Sequence, residues 1–390
     1  MMKWMMVMSK TSGNSNSKAR LASAKRVVIK VGSALLVDEA NGTVHRKWLE
    51  SLAADIKTMR DSGQEVVLVS SGAIAVGRRY LGLANGQLKL EEKQAAAATG
   101  QIRLAHAYQE VLGHHEITVA QVLVTLDDTE NRRRYLNARN TINALLRLGA
   151  VPLINENDTV ATDEIRFGDN DRLAARVGAM ISADALVLLS DIDGLYTADP
   201  ATDSAAEHLG EINEITPAIE AMAGAARTDV GSGGMVTKLA AAKICLANGC
   251  AMAIARGNID NPISAIISGS RVSWFTPQTT PASARKRWIA ASLQPSGTLV
   301  VDEGALKALK SGKSLLAAGV ASLKGDFEKG DAVYICDNSG KEIARGLSAY
   351  SSSEAKKIIG HKSTEFEKIL GYRGRDEIVH RDDMSISAKD

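Results

Sequence analysis

Two lysines and two clusters of acid and amide residues are where this sequence offers chemistry. The stretch Leu153 to Leu173, LINENDTVATDEIRFGDNDRL, begins as a strand and breaks into Asn155-Glu156-Asn157-Asp158. After a polar interval comes Gly168-Asp169-Asn170-Asp171. Asn and Asp close turns and cap helices, because their short side chains bond nearby backbone N–H groups. At a strand's carboxyl end and a helix start they also stand where an α/β sheet places its ligand. There they can accept hydrogen bonds from an ammonium group, donate through the amides to a carboxylate, or hold a metal ion. Lys30 interrupts the apolar run Arg26-Val27-Val28-Ile29-Lys30-Val31, just before Gly32-Ser33. A lysine inside a buried strand is costly unless its ammonium reaches the strand end or snorkels to solvent. Lys238 follows Gly231-Ser232-Gly233-Gly234-Met235-Val236-Thr237. A glycine-rich turn that opens a helix cradles phosphate through its backbone N–H groups. It is not a Walker A motif, and Gly312-Lys313-Ser314 is a decoy, because Lys307 stands where that motif needs glycine. Two lysines with an aspartate to organise them suit phosphoryl transfer, which needs positioning, positive charge and usually Mg²⁺.

The elements that must position these residues alternate. Continuous apolar runs at Arg26 to Val31, Glu65 to Val69, Ile117 to Val124, Val151 to Ile154 and Ala185 to Leu189 predict strands buried on both faces of a parallel sheet. Between them, Arg46 to Ser62, Glu91 to Leu112, a segment ending at Leu148, Arg172 to Ile181 and Leu239 to Ala247 predict helices. Ser70-Ser71-Gly72-Ala73 joins a strand to a helix with small residues that let backbone approach an anion. Ser190-Asp191, opening the polar stretch to Pro200, is a nucleotide-side loop by position. The Arg132-Arg133-Arg134 run reads as a solvated face. Beyond about Ala290 the texture becomes short strands, with Asn338-Ser339-Gly340 as a hairpin turn. The fold class is therefore α/β with a mainly parallel sheet, followed by a small β-rich domain.

Composition bounds the function. The chain has 390 residues, 45% hydrophobic and 24% charged, with a net charge of +2. That charge is too small to argue for nucleic acid or a membrane surface. Three cysteines (Cys245, Cys250, Cys336) without C-x-x-C spacing fit a reduced, cytoplasmic chain. No apolar run approaches the roughly 18 to 20 residues that span a bilayer. Residues 1 to 24 read as a disordered extension: the apolar start is short, contains Lys3 and lacks an A-x-A-like site.

Taken in order, VVIKVGSALL (27–36), VVLVSSGAIAVGR (66–78), LNARNTINALL (136–146), VPLINENDTVATDEIRFGDNDRLAARV (151–177), LLSDIDGLYTADP (188–200) and GSGGMVTKLAAAKI (231–244) resemble the glutamate 5-kinases of the amino acid kinase superfamily. The likeness continues through ARKRWIA (284–290), VDEGA (301–305), KGDFEKGDAVYIC (324–336), ILGY (369–372) and VHRDDM (379–384). It implies an amino acid kinase-like αβα sandwich over 25–276, a linker over 277–294, a PUA-like pseudo-barrel over 295–373 and a tail over 374–390. It implies a kinase that phosphorylates the side-chain carboxylate of L-glutamate with ATP and Mg²⁺, the first step of proline biosynthesis. L-Proline is then expected as an inhibitor and a homo-oligomer, dimer or tetramer, as the assembly.

Carried over by position, the catalytic residues are Lys30, Lys238 and Asp171, the last organising both lysines. Glutamate falls to Ser71, Asp158 and Asn170, with Asp169 as a weaker member. Asp158 suits the substrate ammonium; Asn170 and the turn at Ser71 suit its carboxylates. ATP falls to Lys30, Ser190, Asp191 and the run Ser232, Gly233, Gly234, Met235, Val236, Thr237, Lys238. Ser190 stands where the family commonly has threonine, and Val236 where a small hydroxyl residue can occur. No protein side chain is expected to bind the metal, which the ATP phosphates would hold. Two other readings remain: an amino acid kinase for another carboxylate, and an RNA-binding protein on a kinase-like scaffold. The PUA resemblance raises RNA binding by analogy only; a structural or regulatory role for that domain ranks ahead of it.

Overall fold

The apolar runs assemble into one eight-stranded sheet. In chain order its strands are β1 (Arg26–Val31), β2 (Glu65–Ser70), β3 (Val119–Val124), β4 (Val151–Glu156), β5 (Ala185–Ser190), β6 (Glu211–Ile212), β7 (Ala251–Arg256) and β8 (Val272–Phe275). The computed structural model describes residues 13–38, 42–83, 86–160, 169–224, 234–291 and 294–387. Across the sheet the order is β6-β8-β7-β5-β1-β2-β4-β3. The strands from β7 to β3 run parallel, while β8 meets β7 antiparallel and β6 follows β8. The chain builds outward from β1 through β2 and β4, then returns to lay β5 on the other side of β1. Such a reversal opens a crevice at the carboxyl ends of the strands.

Strand alternation decides which face Lys30 takes. Val27, Ile29 and Val31 enter the main core with Leu49, Leu52 and Ile56 of helix α2 (Arg46–Asp61). Successive side chains point to opposite faces, so Val28 and Lys30 turn the other way. Helix α3 (Ala73–Tyr80) crosses helix α4 (Leu90–Gly113) with almost no space between backbones. A Cβ on Gly77 would lie 1.8 Å from the Ala96 carbonyl oxygen, and one on Gly100 would lie 1.8 Å from that of Ala73. Glycine is required at both positions, and the contact fixes α4 against the turn at Ser71.

Helix α5 (Arg132–Arg147) takes in the triple arginine, which the sequence reading left before the helix. Helix α6 (Asn170–Met180) begins two residues earlier than the periodicity indicated, because Asp169 caps it by accepting from the Arg172 N–H. Helix α7 (Met235–Ala247) likewise starts at Met235 rather than Leu239. Among the described residues no helix is long and apolar enough to cross a membrane.

Three boundaries differ from expectation. Residues 13–23, expected to be disordered, form helix α1 (Gly13–Ser23). Leu21 is fully buried, the Gln64 amide donates to the carbonyls of Leu21 and Ala24, and Arg20 pairs with Glu211 at 2.8 Å. These long-range partners hold a polar segment whose own periodicity is weak. The linker carries helix α8 (Pro281–Ala291), with Ala284 and Ile289 buried. The tail supplies two strands, as described next.

Contacts divide the chain into residues 1–130 with 137–281, and 131–136 with 282–390. In the second unit, β9 (Gly297–Val301), β11 (Val320–Gly325), β12 (Ala332–Cys336), β13 (Glu342–Leu347) and β15 (Met384–Ile386) form a sheet of order β11-β9-β12-β13-β15. β10 (Leu315–Leu316) pairs with β14 (Glu377–Val379). The expected tail is thus integral: β15 extends the sheet along β13, and Ile378, Val379 and Met384 join the core with Leu299, Ile335 and Phe366. Turn chemistry sets the β12–β13 hairpin, where Gly340 adopts φ 85° and Asp337 accepts from the N–H groups of Ser339 and Lys341.

Candidate active site

At the carboxyl ends of the strands, Lys30, Asp171, Lys238 and Thr237 form one group and Asn170, Ser71 and Asn155 another, while Asp158 stands just past the end of β4 and Ser190–Asp191 at the end of β5. Asp171, 1% exposed on the first turn of α6, is the centre. Its Oδ1 lies 2.7 Å from Lys30 Nζ and its Oδ2 lies 3.6 Å from Lys238 Nζ. Thr237 Oγ1 donates to the same Oδ2 at 2.9 Å. Both lysines are themselves buried, at 8% and 6% exposure. Burial alone would raise the Asp171 carboxyl, but the two ammonium groups and the hydrogen bonds from Lys30 and Thr237 hold it below its usual range. Two ammonium groups gathered on one carboxylate away from bulk water suit an anion. Helix α7 adds to this. Among the described residues no side chain caps its Gly234 N-terminus, and the positive end of the helix dipole there favours an anion.

Beside it, Asn170 organises a second group. Its amide donates to the Ser70 carbonyl and Ser71 Oγ, both at 2.9 Å, and to Asn155 Oδ1 at 3.0 Å. Its own Oδ1 is buried with no partner, an orphaned acceptor of the kind that a ligand N–H satisfies. The Ser71 turn passes through Gly72 at φ 96°, where a Cβ would also crowd Val37. Asp158 is buried at 7% exposure, and burial pushes its carboxyl up to about 6, opposed by a hydrogen bond from Gln101. An aspartate in that state gains from a cation placed against it.

Asp169 takes a different part. Its carboxylate caps α6 through the Arg172 N–H at 3.1 Å and sits 3.5 Å from the Arg172 guanidinium, while burial raises its titration. Ser190 donates to Asp191 at 2.8 Å, and Gly257 N–H bonds the Ser190 carbonyl. Val236 is 44% exposed, and Met235 also lies on the first turn of α7. Ser232 and Gly233 lie outside the described residues. Two residues of this region escaped the sequence reading as individuals. Asn155 was part of a cluster but not singled out. Gln101 lies on α4 among Ala97, Leu104 and Tyr108, and a polar residue on that apolar stripe was the one available signal.

A mainly parallel αβα sheet, with paired buried lysines at its switch point and a β-rich second domain, defines an amino acid kinase carrying a PUA domain. Residues 25–256 match the amino acid kinase family and residues 297–370 match the PUA domain. The glutamate 5-kinase of Paramagnetospirillum magneticum is 64% identical, over 93% of this chain and 98% of its own length. That of Rhodospirillum rubrum is 58% identical over 93% and 96%, and that of Agrobacterium fabrum 59% over 94% of each. The chain belongs to the glutamate 5-kinases.

Proposed function

We propose that this chain transfers the γ-phosphoryl group of ATP to the side-chain carboxylate of L-glutamate, giving L-glutamyl 5-phosphate. The observation that carries this reading is the Asp171 carboxylate, shared by two buried ammonium groups. A carboxylate oxygen forms the new bond to the γ-phosphorus. The bond from that phosphorus to the bridging oxygen breaks, and ADP departs with the electron pair. The acceptor is already anionic, so no general base is needed at it. What the reaction needs is relief of repulsion between a carboxylate and a triphosphate, and preorganised cations supply that. Lys30 and Lys238 take this role, and Asp171 holds their ammonium groups in place. The first turn of α7, from Gly234 through Thr237, and the Ser190–Asp191 pair face the nucleotide. Mg²⁺ would be held by the phosphates of ATP and would offset part of their charge. Asp171 is already committed to two ammonium groups, a setting that fits a polyphosphate better than a bare cation.

Asp158 binds the substrate ammonium, and Asn170 and the Ser71 turn bind its carboxylates; Asp169 contributes mainly by capping α6. L-Proline carries the same α-carboxylate and a secondary ammonium, so the same groups accept it as an inhibitor. The enzyme then serves proline biosynthesis as a cytoplasmic homo-oligomer. The test is ADP release from Mg-ATP with L-glutamate, L-aspartate and N-acetylglutamate in parallel, with hydroxylamine to trap acyl phosphate. Glutamate-dependent turnover with hydroxamate, suppressed by proline, is expected. Turnover with another acid only would overturn the substrate assignment.

A further inference from the structure

Gly257 stands one residue beyond the end of β7, beside the Ser190–Asp191 turn, and both of its backbone groups are committed. Its N–H bonds the Ser190 carbonyl at 2.6 Å, at the last pairing of β7 with β5, Arg256 with Ser190. Its carbonyl accepts from the indole Nε1 of Trp48 at 2.7 Å, and the same indole N–H reaches the Ile259 carbonyl at 3.1 Å. The indole nitrogen is a donor and never an acceptor, so it can meet a carbonyl in one sense only. Nor is there space for Gly257 to adjust. A Cβ there would lie 2.3 Å from Leu35 Cδ1, 3.0 Å from Leu189 Cβ and 3.3 Å from the Ser190 nitrogen. Trp48 comes from the first turn of α2, packs in the core with Val27, Ile29 and Val31, and so reaches the strand ends from the sheet face opposite Lys30. Further along the same side of α2, Ser51 accepts from the Asn261 N–H at 3.1 Å and Asp55 from the Ile263 N–H at 2.8 Å. These two hold the far end of the loop, where the short helix Pro262–Ile267 begins. Of the three, Trp48 holds the end that meets Ser190.

We infer that Trp48, acting through Gly257, is a positioning residue for the nucleotide: it fixes the end of β5 from which the Ser190–Asp191 turn meets ATP. The inference rests on the reading of that pair as nucleotide-facing. Loss of the indole N–H leaves a buried carbonyl without its donor. Gly257 relieves that cost by shifting toward water, and Ser190, bonded to its N–H, shifts with it. The residues assigned to glutamate stand at the ends of β2 and β4 and on α6, and β2 lies two strands from β5 in the sheet. The inference therefore predicts weaker nucleotide binding with glutamate binding and kcat preserved.

The experiment titrates Mg-ADP by calorimetry into the parent protein, Trp48→Phe, Gly257→Ala, Asp55→Asn and Ser190→Ala, each checked for a native melting transition. Steady-state kinetics follow. Phenylalanine keeps an aromatic ring in the pocket and removes the N–H. Trp48→Phe should weaken Mg-ADP binding about fivefold, the scale of one hydrogen bond, and raise the KM for ATP to match. The kcat and the KM for glutamate should stay within about twofold. Gly257→Ala should weaken Mg-ADP binding more than about tenfold, because its methyl group presses on the Ser190 strand end directly. That variant carries the test if Trp48→Phe does not fold. Asp55→Asn should melt at a lower temperature and bind Mg-ADP within about twofold of the parent, because it loosens the far end of the loop. Folded Trp48→Phe with the parent's affinity would overturn the inference. So would equal weakening by Trp48→Phe and Asp55→Asn, or equal rises in both KM values, which mark a general structural role. If Ser190→Ala weakens binding and the Trp48 and Gly257 variants do not, this inference fails alone. If the parent does not bind Mg-ADP, or Ser190→Ala binds it as the parent does, the nucleotide reading of that pair fails and takes this inference with it. Calorimetry needs no acceptor, so a failure of glutamate-dependent turnover would leave this result readable.

Discussion

Asp171 and Asp383 are buried to a similar depth, at 1% and 5% exposure, and each lies against cations. Their surroundings differ in the kind of cation. In the second unit, Arg285 Nη2 meets Asp383 at 2.6 Å while its Nε donates to the Asp382 carbonyl. Burial would lower the Arg285 titration, but Asp383 and Tyr135 outweigh it and raise it. Arg375 lies 3.9 Å from Asp383 and 3.8 Å from Glu377. Around Asp171 two lysines face one carboxylate. The planar guanidinium of Arg285 is consumed by a fixed fork of partners, whereas an ammonium is a compact charge that can turn toward an arriving phosphate. A guanidinium held at several points serves the fold; two ammonium groups on one carboxylate suit an anionic ligand.

The largest way to test that contrast is to remove one of the two ammonium groups. Lys238→Ala should lower kcat by about 10² to 10³-fold with little change in the KM for glutamate, since its charge matters most in the transition state. Steady-state kinetics with intact turnover would remove Lys238 from the mechanism. Arg285→Ala should behave oppositely: about 3 kcal/mol of stability lost in urea unfolding, because Asp383 is left underpaired, with turnover per folded molecule unchanged. A loss of kcat without a loss of stability there would break the comparison.

A milder probe uses an anion. Inorganic pyrophosphate at about 100 times its Kd should stabilise the parent by about 2.7 kcal/mol in thermal melts, and should do the same for Arg285→Ala but not for Lys238→Ala. Equal stabilisation of all three would place the anion elsewhere.

Asp158 supplies the smallest effect and sharpens the contrast from a third side. It pairs with no cation among the described residues, and burial raises it to about 6. Between its unfolded value of 3.8 and about 6, the folded protein holds the extra proton, so this group's contribution to stability falls as pH rises through that window. Ammonium binding needs the ionised form, so the glutamate KM should rise about tenfold from pH 7 to pH 5. Asp158→Asn should show a raised KM that no longer changes over that range. An unchanged pH profile in that variant would assign the titration to another group.

Local chemistry made much of this legible. Lys30 stood out because a lysine inside a buried apolar strand breaks the burial rule. Lys238 stood out because a glycine-rich turn precedes it, and the two acid–amide clusters because strand and helix ends bracket them. What stayed hidden depended on distant partners. Helix α1 is held by Gln64 and Glu211, far along the chain. β14 and β15 are three residues each, too short for alternation to register. Gln101 gains meaning only from Glu156 and Gln121, which approach it from other elements.

The order of strands and helices, the turn residues and the identity of the charged groups follow from the sequence, because propensity and periodicity act over a few residues. Only the folded chain decides that Lys30 and Lys238 meet on Asp171, and that Asp171 is held low while Asp158 is raised. Both are aspartates at the mouth of one sheet. The difference between them is what burial and neighbouring charge do to a carboxylate, and neighbours brought from separate strands and helices exist only once the chain has closed on itself.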